Sequence, residues 1–285
     1  MIVYIKENEE INLLYKIFNI FKLDNMDNKS IIYLPINQNT RKKKIEQNAK
    51  KLERYLYNNN IKDVVLSEKL MKIEELKNIL YSNNINILDG TKLSKFLTYD
   101  IVKKIYKYKN MKMEAGEISI LVNDNNTINI ENIMQLAQDT KRLNILTNNI
   151  KKFKKVSDYL YNELGILIKL SNNIKMNLSS SNIIINIDFP EEVVNQLQIP
   201  SNATIIGIPN SINIYSKKFA GVNIKKWEIE IPDEYKIIGF ADYIVYESTI
   251  YNKQPNMVLK QIKKDNIKIK KLLGINGIIN KREFA

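Results

Sequence analysis

The stretch from Glu117 to Pro190 constrains the fold more than any other part of the chain. It reads EISILVND, a helical run, RLNILTNN, a second helical run, GILIKLSNN, a short polar link and NIIINIDFP. Four apolar runs rich in Ile, Leu and Val thus alternate with amphipathic segments. That is the pattern of a parallel sheet whose two faces are both covered by helices. Each run ends in Asn or Asp: Asn123 and Asp124, Asn148 and Asn149, Asn172 and Asn173, then Asp188. In open α/β sheets ligands sit beyond the carboxyl ends of the strands. Asn123, Asp124, Asn148, Asn149, Asn172 and Asp188 are therefore the candidate ligand-binding residues. For any one of them taken singly, capping the helix or turn that follows is the better reading, and the group marks the location because the fold puts the crevice there.

The residues before this stretch repeat the same alternation. Met1–Lys6 reads as a strand, Asn8–Lys22 as a helix, and IIYLPI as a strand ending near Pro35. Residues 41–60 follow as a helix with the stripe Ile45, Ala49, Leu52 and Leu56. Lys42, Lys43, Lys44, Lys50 and Lys51 are expected on its solvated face. DVVLS is a strand, Lys72–Tyr81 a helix, NINILDG a strand, and Thr91 opens a long helix through Tyr108. The polar segment KNMKMEAGE, residues 109–117, is the expected boundary. Beyond Pro190, ATIIGIPN reads as a fifth strand and KKWEIEIP as a sixth. FADYIVYESTIY and MVLKQIKKDNIKIKKLL read as closing helices. The expected organisation is an N-terminal α/β domain over 1–110, a second parallel-sheet domain over 117–235, and a helical segment over 236–285.

Composition removes whole classes of chemistry. The 285 residues include no Cys and no His. Disulfides, thiol nucleophiles, the usual zinc sites and every His-based acid, base or triad are excluded. The 44% hydrophobic content is enough for a core. Apolar runs fall far short of the ~18 residues that a membrane span requires. The N-terminus lacks the layout of a secretion signal, so a cytoplasmic protein without a membrane span is expected. A net charge of +13 invites nucleic acid as a partner. The basic residues are nearly all Lys, however, with four Arg, and Arg is the preferred residue for planar phosphate contacts. Nucleic acid is thereby disfavoured, and Lys, Asn and Ile together fit a codon bias.

In element order, residues 117 to about 208 resemble the NAD(P)-binding domain of the shikimate dehydrogenase and glutamyl-tRNA reductase group. RLNILTNNIKKFKKVSDYL is similar to that domain's second strand and following helix, and NIIINIDFP to its fourth strand. The resemblance implies two α/β domains, the second Rossmann-like, with C-terminal helices closing the structure. The residues depart from it where a dinucleotide needs bare backbone. The first strand-to-helix turn is NDNNTINIEN, and no Gly occurs between Gly116 and Gly165. Ordinary NAD(P) binding is therefore not expected, and the residues identify no other cofactor. The group's catalytic Cys and its asparagine-lysine-threonine type motif have no counterpart either. The reading these residues favour is a non-catalytic binding or regulatory protein on a dinucleotide-fold scaffold, with an unknown ligand or protein partner. The alternatives are an enzyme with an atypical nucleotide or sugar-phosphate ligand in the interdomain cleft, and a nucleic-acid-binding protein.

Overall fold

The computed structural model describes residues 1–8, 22–26, 29–173, 178, 180–208 and 211–284. The helix expected over Asn8–Lys22 falls on residues 9–21, outside the described residues. The chain forms two compact units, residues 1–90 with 231–252 and residues 91–230 with 253–285.

In the first unit, β1 (Ile2–Glu7), β2 (Lys22–Met26), β3 (Lys29–Leu34), β4 (Asp63–Leu66) and β5 (Asn86–Ile87) form one sheet in the order β2-β3-β1-β4-β5. All neighbours are parallel except β2, which runs antiparallel to β3. Successive side chains point to opposite faces, and here both faces are covered. Ile5, Ile32 and Val64 pack with Leu52 and Leu56 of α1 (Lys42–Asn58) and Leu76 and Leu80 of α2 (Glu74–Ser82). Their neighbours Tyr4, Ile31 and Val65 pack with Phe240, Ile244 and Val245. The last two belong to a helix that returns from far along the chain (Asp242–Ile250, α8 in chain order). On α1, Lys42, Lys43, Lys50 and Lys51 are exposed and Lys44 is half-buried. Gly90 ends the first stretch of this unit at φ +89°, and its N–H donates to the buried Glu247 of α8 at 2.7 Å.

The second unit opens with α3 (Thr91–Phe96) and α4 (Thr98–Tyr108). The sequence reads as one helix here. It breaks at Leu97, where the Thr98 hydroxyl donates to Lys95 O at 2.9 Å. Thr competes in this way with helical backbone bonding. Then follow β6 (Glu117–Leu121), α5 (Thr127–Asp139), β7 (Arg142–Leu146), α6 (Ile150–Leu164), β8 (Ile168–Ser171), β9 (Ile183–Asn186), α7 (Glu191–Val194), β10 (Thr204–Gly207) and β11 (Val222–Ile224). The six strands are all parallel, in the order β11-β10-β9-β6-β7-β8. Counted within this sheet the order is 3-2-1-4-5-6, the arrangement of the doubly wound dinucleotide-binding fold. The fold is thus α/β with two parallel-sheet units, the second Rossmann-like.

Two further stretches differ from the sequence reading. The sixth strand of the parallel sheet is Val222–Ile224, and Lys226–Glu230 (β12) leaves that sheet. It pairs antiparallel with β13 (Lys268–Gly274), which pairs in turn with β14 (Gly277–Ile278). Residues 268–274, read as helix, are therefore a strand. The helix α9 (Pro255–Lys264) stops because Asn266 takes a left-handed φ of 53°. Beyond it Ile267 and Ile269 are buried while Lys268 and Lys270 are exposed, a period of two that only a strand satisfies. Among the described residues no helix is long and apolar enough to cross a membrane.

Gly90→Ala tests the return of α8 onto the first sheet. A Cβ there would lie 2.3 Å from Cδ2 of Tyr243 at a backbone angle that disfavours side chains. Strain and overpacking together should cost about 2–4 kcal/mol. A lowered urea midpoint by far-UV circular dichroism is the expected reading.

Candidate functional site

In a 3-2-1-4-5-6 sheet the crevice lies where the strand order reverses, beyond the ends of the first and fourth strands. Here those strands are β6 and β9. Ile187 N bonds Leu121 O at 2.9 Å and Val122 N bonds Leu146 O at 3.0 Å, so the ladder carries both chains to this edge in register. Two turns then meet, Asn123–Asn126 after β6 and Ile187–Phe189 after β9.

The Asp188 carboxylate lies on the backbone of the opposite turn. Oδ1 and Oδ2 accept Asn123 N at 2.7 and 2.9 Å, and Oδ2 also accepts Asp124 N at 2.8 Å. Asn123 Oδ1 accepts Asn148 N at 2.7 Å, which extends the chain of bonds to the end of β7. Asp124 is held from its other side. Its Oδ2 accepts Asn126 Nδ2 and its carbonyl accepts Asn129 Nδ2, both at 2.7 Å. Asn126 caps α5 by accepting Asn129 N at 2.9 Å. Most of the turn's hydrogen bonds are thus made within the chain, although Asn129 Oδ1 is buried without a partner among the described residues.

Of the six candidates, Asn123, Asp124, Asn148 and Asp188 therefore come together in one hydrogen-bonded chain. Asn149 stands at the N-cap position of α6, makes no side-chain cap bond, and donates its N–H to Thr147 Oγ1 at 3.2 Å. Asn172 lies exposed just past β8 and joins neither group.

The sequence reading passed over Asn186, Asn126 and Asn129. Asn186 is 4% exposed at the end of β9. Its Nδ2 donates to Phe189 O at 2.9 Å and its Oδ1 accepts Phe189 N at 3.1 Å. These two bonds fold the turn that presents Asp188. An Asn inside the apolar run NIIINI was the available signal, since a buried amide must find partners. For Asn126 the signal was its place just before an amphipathic run.

The first unit treats its own strand ends in a related way. Glu7 at the end of β1 is 4% exposed. It accepts a hydrogen bond from the buried Ser67 hydroxyl just past β4, and Lys69 Nζ lies 3.7 Å from its other oxygen. Ser67 Oγ also accepts Leu70 N at 3.3 Å, so this hydroxyl serves a turn.

Two tyrosine–carboxylate contacts flank the second sheet. Tyr215 donates to Glu191 Oε1, and Asn213 N donates to Glu191 Oε2 at 2.7 Å, which pins the loop after β10 to α7. These donors hold the Glu191 carboxyl below its ordinary value. On the helical side, Tyr99 of α4 donates to Asp139 of α5. Burial, then that carboxylate, push the Tyr99 phenol up to about 12.

Chemically, the switch point presents carboxylates and engaged amides. Amides left open at this position would form an anion site, but the chain fills them with its own Asp188. Among the described residues no group of three or more Asp or Glu could hold a metal ion.

No protein-family profile matches this chain, and no curated protein does. Solved structures similar to it include the ornithine carbamoyltransferase of Pyrococcus furiosus, 11% identical, over 90% of this chain and 83% of that one, at a TM-score of 0.31. The D-mandelate dehydrogenase of Rhodotorula graminis is 8% identical over 76% of each chain, at 0.38. The L-tryptophan dehydrogenase of Nostoc punctiforme is 11% identical over 93% and 87%, at 0.34. Likeness of this degree carries no argument about activity, and the strand order carries the fold without it.

Replacing Asp188 with Ala should free the amides of Asn123 and Asp124. Their hydrogen exchange should quicken at least tenfold, with a stability loss of about 1–3 kcal/mol for the lost charge-assisted bonds. Tyr99 gives an alkaline signature. Its folded pKa lies above the unfolded value of about 10, so its contribution is complete below pH 10 and fades as pH rises toward 12. Tyr99→Phe should remove that part of the alkaline slope in a denaturation series.

Proposed function

We propose that this chain is a non-catalytic binding or regulatory protein on a dinucleotide-fold scaffold that no longer takes NAD(P). The observation that carries the reading is the Asp188 carboxylate on the amides of Asn123 and Asp124. In the dinucleotide-binding fold those positions approach the pyrophosphate, and glycines keep the backbone bare there. Here the turn has side chains at every position, and Ile128 and Asn129 follow in the first turn of α5.

Electrostatics points the same way. A phosphate about 4 Å from an ionised carboxylate meets roughly 4 kcal/mol of repulsion per charge pair at an effective dielectric of 20. Asp124 and Asp188 both stand at the turn. Two backbone hydrogen bonds to a charged group return about 1.5–3 kcal/mol each, and Asp188 already holds them. Repulsion and occupancy together outweigh what the amides could offer a pyrophosphate. The absence of Cys and His further narrows the chemistry that this edge could perform. An enzyme using an atypical nucleotide or sugar phosphate would have to displace Asp188 first.

Isothermal titration with NAD⁺, NADH, NADP⁺ and NADPH tests the reading, with Trp227 and tyrosine fluorescence followed in parallel. The expected result is no saturable signal for any of the four. Saturation in the micromolar range, weakened by Asn123→Leu, would instead establish a working cofactor site and overturn the proposal.

A further inference from the structure

The second unit contains a cavity of about 220 Å³ between α3, α5 and α9. Its walls are largely apolar: Phe96 of α3, Ile128 of α5, and Pro255 and Leu259 of α9. A cavity of about 150 Å³ is enough for benzene, so this one fits a ring with a short polar arm. The polar side chains on its wall include Glu131 and Asn132, one turn into α5. Glu131 is the one charged residue among the eight that line it.

These two residues offer acceptors. Asn132 is 4% exposed and spends its amide nitrogen on Lys95 O at 2.7 Å. Its amide oxygen takes no hydrogen bond among the described residues, and Asn132 lines the cavity. Glu131 Oε1 receives only Gln135 Nε2 at 3.1 Å, from the next turn of the same helix. Some of the donors nearby are committed. Asn129 N goes to the Asn126 cap, Met257 N and Val258 N go to Gln254 O at 2.9 and 3.0 Å, and Pro255 has no N–H. The N–H groups of Thr127, Ile128 and Asn256, the Thr127 hydroxyl and Asn256 Nδ2 take no partner among the described residues, so an anion is the competing ligand and the Glu131 carboxylate is what opposes it. An apolar slot whose one charged lining group is a carboxylate, beside an amide oxygen that takes no hydrogen bond among the described residues, selects a ligand with an apolar body and a cationic, hydrogen-donating head.

We infer that this cavity is a binding site for a small primary amine with an aromatic or branched apolar body. The cavity shares the first turn of α5 with the switch-point edge, but Asp188 is not among its lining residues, and benzylamine and the nicotinamide cofactors are titrated separately.

Benzylamine is a suitable probe, with benzyl alcohol and benzoate as its neutral and anionic counterparts. Binding to the full chain can be followed by ¹³C-methyl NMR of the isoleucines and leucines. Benzylamine should saturate with shifts centred on Ile128 and Leu259. Benzyl alcohol should bind at least tenfold more weakly, and benzoate not at all. Glu131→Gln should weaken benzylamine at least tenfold, and Leu259→Trp, which fills the slot, should abolish it, with circular dichroism confirming folded variants. If either variant fails to fold, the ligand ranking and shift map on the unmodified protein decide the matter alone. No saturation by benzylamine, shifts centred elsewhere, or benzoate binding as well as the amine would each overturn the inference.

Discussion

The doubly wound part of the second unit depends on burying both faces of one parallel sheet. Ile118, Ile120, Ile183, Ile184, Ile185, Ile205 and Ile206 are all fully shielded from water. Complete burial of such a side chain contributes on the order of 1.5–3 kcal/mol. The backbone between them then has no solvent to bond, so the strand ladder must be continuous, and β11 to β8 provide it without a break. Helices have to lie on both sides. That requirement produces the alternating chain and, with right-handed crossovers, leaves few strand orders open.

The same requirement explains the edge. Strand ends are where the ladder stops, and the amides and carbonyls that emerge there need partners. Nucleotide-binding proteins of this topology leave such amides for phosphate. This chain supplies short polar side chains instead, and Asp188, Asn123, Asn126 and Asn129 close the turn among themselves. The buried Asn186 fixes the turn that aims Asp188. Glu7 and Ser67 show the first unit meeting its own strand ends with internal partners too. A carboxylate at such a position changes the electrostatic character of the edge as well as its geometry.

The antiparallel strands β12, β13 and β14 obey a different rule. A sheet with one face in water alternates apolar and polar residues. In KIKKLL the buried Ile269 and Leu272 are separated by exposed or half-exposed lysines, and a bulge between Glu228 and Ile229 adjusts the register of the partner strand. The +13 charge is thus in part a property of solvated faces, on α1 as on β13.

Local pattern alone determined the α/β class, most strands, and the location of the candidate edge, because apolar runs between amphipathic helices admit few other solutions. It also pointed to the missing glycines. What it could not decide was pairing. Whether Asp188 caps its own turn or another depends on β9 lying beside β6, a contact between residues some 65 positions apart in sequence. For the same reason Lys226–Glu230 reads as one more parallel strand until β13 is seen beside it, and residues 268–274 read as helix until Asn266 breaks the run. The cavity beside Glu131 had no signal at all, since its walls come from three helices that meet only in the folded chain. Residue spacing records which face a side chain takes, whereas the identity of its neighbour across that face belongs to the tertiary structure.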